Sequence, residues 1–146
     1  TPSLFATSKR TVVGWDASRL SMLLAVLESR CDLTFSNLDI YLSIASGIKT
    51  SDPAADLAVA AALISSKLNF PLDSKTVIFG EINLSGTIRE SYNTEVRIKE
   101  AEKLGFTKAL ISKNAKTIAT TKIEMKKING LVEFISYLRH ISEVNR

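Results

Sequence analysis

A serine paired with a lysine is the one hydrolytic arrangement this sequence leaves open, because the commoner partners are nearly absent. The 146 residues hold one histidine, His140, and one cysteine, Cys31. A disulfide framework and a Cys/His-rich zinc site are therefore excluded. A triad built on histidine has the single candidate His140, close to the C-terminal residue. It stands beside Arg139 on a helical pattern, where a solvated imidazole near the negative helix end is the simplest reading. Cys31 stands beside Asp32 with no evident base and reads as a small half-buried residue.

The other groups that could do chemistry have structural explanations of their own. Asp52 and Asp56 lie four apart, but capping and the helix dipole account for both. Glu81 follows an apolar run and could serve as a base or an ion-pair partner. Gly80 and Gly86 flank a loop after a strand-like segment. A phosphate loop needs G-x-x-x-x-G-K-[ST]; here the gap is one residue too long and Thr87 stands where lysine should be. No G-x-G-x-x-G occurs. A Ser–Lys dyad remains because it needs no histidine: a neutral lysine takes the serine proton.

Such residues have to be carried by regular elements, and the hydrophobic pattern supplies them. Thr11 to Val13 is β-branched and extended, with Asp16 or Ser18 as a helix cap after it. Leu20, Leu23, Leu24 and Leu27 recur at helical spacing between Arg19 and Glu28. Leu38 to Ala45 alternates as a half-buried strand. Asp52 as cap and Pro53 at the first helical position open a helix over 53–66, apolar nearly all round. Thr76 to Phe79 is a strand, Asn83-Leu84-Ser85-Gly86 a turn, and Thr87 to Arg89 the return of a hairpin. A helix starts at Asn93 or Thr94 and runs to Leu104, with Gly105 in the position that ends it. Ala109 to Ile111 is a short buried strand, and Leu131 to Ile141 a final amphipathic helix. Residues 113–127 are rich in Lys and Thr and give no assignable pattern. The order β-α-β-α-β-β-α-β-α predicts an α+β fold (α/β two-layer) with a mixed sheet and helices packed on it.

Length and composition agree with one globular domain over 10–146, preceded by a polar tail or linker at 1–9. Hydrophobic residues are 45% and charged residues 23%, which argues against disorder. The net charge of +4 permits nucleic acid as a partner without demanding it. No signal peptide pattern is present, and the longest apolar stretch, Leu57 to Ile64, is too short to span a membrane. A soluble, cytoplasmic protein is expected. The chain starts Thr1-Pro2-Ser3 rather than with Met, so a fragment or a processed product is expected.

Four separated motifs carry a resemblance. They are Arg10-Thr11-Val12-Val13-Gly14-Trp15-Asp16 with its following helix, Asp52 to Leu63, Phe79 to Arg89, and Arg97 to Phe106. Together they resemble the C-terminal domain of the bacterial RadA (Sms) DNA-repair family, in register over about residues 9–112. That domain is similar in turn to the proteolytic domain of Lon, and the resemblance implies its β-α-β fold with helices on one side. In Lon the helix opens with Gly-Pro-Ser-Ala-Gly. Laid on this chain, Pro53 matches the proline, Ala54 falls on the nucleophilic serine and Arg97 on the catalytic lysine. Ala54 has no oxygen to attack with, and a guanidinium stays protonated and cannot act as a base. The resemblance thus implies a pseudo-protease with no catalytic residue. Ser51, Ser85 and Ser91 are near in sequence, and a live peptidase with a displaced serine is the competing enzyme reading.

The lost dyad leaves a basic surface as the expectation. Arg97 keeps a positive charge and adds a planar fork suited to phosphate. With Lys49, Arg89, Lys99 and Arg19 it is expected to meet the DNA backbone, single-stranded or branched, without sequence preference. The opposing expectation is that Arg97 pairs with Asp56 or Glu81 and closes the cleft. The resemblance further implies a longer parent with a zinc module and a RecA-like ATPase core. It would act as a hexameric ring in ATP-dependent branch migration with the RecA recombinase. ATP, Mg and Zn would belong to those other parts, and no cofactor and no membrane are expected here. Helix 53–66 is then a candidate to meet the core and helix 93–104 a neighbouring subunit. A pure protein-interaction module that binds no DNA is the third reading.

Overall fold

A computed structural model of the protein describes residues 10–13, 17–33, 40–43, 53–69, 71–116, 118 and 121–144. The chain divides into two compact units, Thr1–Asp52 and Pro53–Arg146. In the first, strand β1 (Arg10–Val13) pairs in parallel with β2 (Ile40–Ser43), with Arg10 opposite Ile40 and Val13 opposite Ser43. Helix α1 (Ala17–Cys31) connects them, as a parallel pair requires a crossover. Its leucine stripe is buried at Leu20, Leu23, Leu24 and Leu27. Asp32 takes the left-handed conformation at φ 56°, and the Leu33 amide donates back to the Leu27 carbonyl, closing the last turn.

The second unit opens with a tight turn, Pro53–Ala55, that leads into α2 (Asp56–Leu68). The sequence places the helix start at Pro53 with Asp52 as its cap. Asp52 lies outside the described residues, and the α-helix proper begins three residues later. Ala55 occupies the cap position and makes no side-chain capping bond. The helix start is tied to the rest of the unit instead. The Leu57 amide donates to the Gly80 carbonyl at 3.0 Å, and the Gly80 amide donates to the Ala54 carbonyl at 2.9 Å. Asp56 is fully buried, and its Oδ2 accepts the Ile82 amide at 3.0 Å. Its place in the first turn suits the dipole, but this carboxylate is above all a tertiary anchor.

Three strands form a parallel sheet in the order β3 (Thr76–Ile78), β6 (Lys108–Ser112), β7 (Glu124–Ile128). Ala109 lies opposite Val77 on one side and Met125 on the other. Ala109-Leu110-Ile111 is buried throughout, as a central parallel strand covered on both faces should be. Alternation sorts its neighbours. Val77, Ala109, Ile111 and Met125 join an apolar cluster with Ile98 and Ala101 of α3 (Thr94–Lys103). Ile78 and Leu110 turn to the opposite face, toward Leu138 and Ile141 of α4 (Leu131–Val144). Helices therefore cover both faces of this sheet, where the resemblance implied one.

Strands β4 (Glu81–Ile82) and β5 (Ile88–Arg89) make an antiparallel hairpin about the expected turn, but the strand opposite β5 is β4 and not the Thr76–Phe79 run, which pairs in parallel with β6. The hairpin turn is held by Asn83, whose Oδ1 accepts the Ser85 and Thr87 amides and the Ser85 hydroxyl. Gly86 supplies φ 84°, and its carbonyl accepts the Leu131 amide at the head of α4. The end of α3 follows the sequence closely. Gly105 sits at φ 92°, its amide donates to the Glu102 carbonyl, and the Phe106 amide donates to that of Ala101. Strand β7 falls in the stretch that gave no pattern. Its charged residues, exposed Glu124 and Lys126 and half-buried Lys127, hide the strand from a reading based on apolar alternation.

Removing the Asp56 carboxylate leaves the buried Ile82 amide unpaired. Asp56→Ala is expected to lower unfolding stability by about 2–3 kcal/mol. Urea denaturation followed by circular dichroism measures this, and an unchanged midpoint would contradict the anchoring role.

Candidate functional site

Ala54 and Arg97, the two positions on which the dyad of the resemblance falls, belong to elements that share one apolar cluster. Ala54 lies in the turn before α2, is 5% exposed and joins Phe79, Ile98 and Ala101. Its methyl group is core. Arg97 is on the first turn of α3, adjacent to Ile98 and half-buried. Its Nε donates to the Tyr92 carbonyl at 2.8 Å, which fixes the plane of the guanidinium at the start of the helix. Asn93 stands before this helix in the left-handed conformation at φ 58° without a side-chain cap. The Arg97 contact with Tyr92 thus bridges the residues on either side of the helix start.

The other predicted cations are dispersed. Arg89 is exposed on β5, and the hairpin register sets it opposite Glu81, a favourable cross-strand pairing of charge. Lys99 is exposed on α3 and pairs with Glu95 at 3.2 Å, one helical turn away. Such a surface pair contributes little. Arg19 is half-buried on α1 in the first unit. Lys49 lies outside the described residues. The second unit therefore brings Arg97, Lys99 and Arg89 to one stretch of chain, in company with Glu81, Glu90, Glu95, Glu100 and Glu102.

The serines near this stretch are poorly set up for nucleophilic work. Ser51 lies outside the described residues. The Ser85 hydroxyl donates to the Asn83 side-chain oxygen at 2.6 Å, and an amide oxygen is no base for it. Ser91 Oγ is buried and has no hydrogen-bond partner among the described residues. Cys31 ends α1, and burial pushes its thiol above the ordinary cysteine value, away from the reactive thiolate. His140 is exposed on α4. Among the described residues no three His, Cys, Asp or Glu side chains are grouped to hold a metal ion. No described helix is long and apolar enough to cross a membrane.

Sequence reasoning missed a second concentration of charge. Residues 108–127 contain six lysines and a single acid, Glu124. In the structure Lys108 and Lys126 of that stretch converge on Tyr137 of α4. The compositional signal was the Lys-rich run itself, but its placement depends on the pairing of β6 with β7.

Comparison with known proteins gives two kinds of match. Residues 16–115 match the ChlI family, described as subunit ChlI of Mg-chelatase. The chain is also similar to proteins named DNA repair protein RadA. It is 60% identical to that of Rickettsia typhi over 112 residues, 77% of this chain and 25% of that protein. It is 57% identical to that of Rickettsia felis over 143 residues, 98% of this chain and 29% of that protein. For Brucella abortus the identity is 54% over 108 residues, 74% of this chain and 23% of that protein. The chain thus spans about a quarter of the length of these relatives.

Lysine lacks the planar Nε that reaches Tyr92. Arg97→Lys is expected to cost about 1 kcal/mol or less. It should also speed amide hydrogen exchange over the first turn of α3, and unchanged exchange there would show that the contact does not hold the helix start.

Proposed function

The chain belongs to the ChlI family, and with relatives named for DNA repair at more than half identity we propose that it is a non-catalytic DNA-binding domain of a DNA-repair protein. The relatives' identity carries the reading, because it extends over most of this chain at a level that unrelated activities rarely share. The description of the family names a chelatase subunit; the closeness of the relatives favours repair. We read the domain as a pseudo-protease of Lon type. Ala54 stands at the nucleophile position inside a packed apolar cluster, and Arg97 replaces the base with a permanent cation.

In this reading Arg97, with Arg89, Lys99, Lys49 and Arg19, meets phosphates rather than a scissile peptide. A guanidinium held in one plane is suited to a bidentate phosphate contact. Contacts to phosphate position a strand without reading its sequence. The domain would serve a larger cytoplasmic assembly, with ATP, Mg and Zn bound by parts of the parent outside this chain. That parent would assemble as a hexameric ring and work with the RecA recombinase in branch migration of recombination intermediates. Helices α2 and α3 are the surfaces proposed for contacts with the core and with a neighbouring subunit.

Binding of fluorescein-labelled single-stranded and duplex DNA at two salt concentrations tests this. The Lys49→Ala/Arg97→Ala double variant is expected to bind about tenfold more weakly, with a shallower dependence on salt. Unchanged affinity would remove Lys49 and Arg97 from DNA contact, and absence of DNA binding in the unaltered chain would favour a pure interaction module. Digestion of an unfolded protein, abolished by Ser85→Ala or Ser91→Ala, would restore the peptidase reading.

A further inference from the structure

The sheet face opposite α3 carries a cluster made from three elements. Lys108 Nζ of β6 stands 3.5 Å from the Tyr137 hydroxyl of α4. Lys126 Nζ of β7 lies 5.2 Å from the centre of the Tyr137 ring, within cation–π range. Beside them opens a cleft of about 100 Å³, floored by Leu72, Ile78, Leu110 and Leu138. Asp73 is on its rim, but its two oxygens accept the Lys75 amide at 2.9 Å and the Thr76 hydroxyl at 3.1 Å. The carboxylate therefore holds the turn before β3. Residues 108–127 hold six lysines against one acid, and of these Lys108 and Lys126 reach Tyr137. Around Arg97, by contrast, residues 89–103 carry four basic and four acidic side chains.

We propose that this cleft receives an unpaired base of a single-stranded nucleic acid, whose phosphates lie on Lys108 and Lys126. An apolar floor with an aromatic wall accepts the flat face of any base, and flanking ammonium groups follow the backbone as point charges. The cleft is too small for a duplex, whose bases are stacked and paired. The site goes beyond the reading above, which puts the phosphate contacts on the side of α3, and shares with it only the class of ligand. A strand that rounds the edge at β7 could touch both.

The test measures binding of the full chain to fluorescein-labelled oligothymidylate and to a blunt duplex of equal length. Lys126→Glu is a surface change and is expected to weaken oligothymidylate binding about tenfold while lowering the salt slope by about 1. Tyr137→Leu should weaken it about fivefold or more and move duplex binding less than about twofold, and Tyr137→Phe should retain most affinity. Equal losses on both DNA forms would overturn the single-strand assignment. Oligothymidylate binding untouched by Lys126→Glu and Tyr137→Leu would overturn the site. If Arg97→Ala alone then lowers affinity, the cleft fails and the Arg97 reading stands. If the Lys126 and Tyr137 variants alone lower it, the cleft stands and the Arg97 reading fails. Absence of any oligonucleotide binding overturns both.

Discussion

The second unit depends on a lock at the start of α2. Leu57 donates to Gly80, Gly80 donates to Ala54, and the buried Asp56 carboxylate takes the Ile82 amide. A helix start leaves amides without partners, and burying them unpaired would be costly. Here the corner between β3 and β4 supplies the missing carbonyl, and the helix returns an acceptor from Ala54. The approach is close enough to dictate residue type. A Cβ on Gly80 would come within 2.9 Å of Ile88 Cγ2 and 3.4 Å of Leu57 Cδ2. The start of α2 and the segment from Gly80 to Ile82 therefore hold each other in place. Their pairing runs through backbone groups and the Asp56 carboxylate, and the Ala54 side chain takes no part in these bonds.

On this lock rests a layered arrangement with β6 at its centre. The strand is buried on both sides because α3 packs against one face and α4 against the other. Each helix is also tied by polar contacts at its margin. Glu102 of α3 accepts the Thr121 hydroxyl and the Lys122 amide ahead of β7. Glu133 of α4 reaches back to the Asn129 amide, a cap formed from within the first turn. Ser112 Oγ, at the end of β6, donates to the Ile88 carbonyl and joins sheet to hairpin. The start of α3, where Arg97 sits, is thus presented on a framework fixed at several points.

Much of this was legible in the amino-acid order. Gly105 announced the end of α3, and Asn83 with Gly86 announced the hairpin turn, because each needs a special backbone shape or a short polar side chain. The helices declared themselves through their apolar stripes. Strand β7 did not, since Glu124, Lys126 and Lys127 give it no apolar run, and its place follows from pairing with Lys108 to Ser112. The true start of α2 was hidden for a related reason: the Leu57 amide and the Asp56 carboxylate find their partners far along the chain. Arg97 was singled out by resemblance alone. The Tyr137 cluster was not, because Lys108 and Lys126 are distant in sequence and meet through the strand register that sets Lys126 opposite Leu110.

Strand β7 is bonded to β6 on one side only among the described residues. Its outer rim is a row of backbone donors and acceptors of the kind that recruits further strands. The exposed Lys126 puts a positive charge on that edge strand, a feature that disfavours pairing with another copy of itself. A charge on an edge strand works against strand addition whatever else it meets. Acetylation or substitution of Lys126 would remove that charge and leave the edge more open to strand addition.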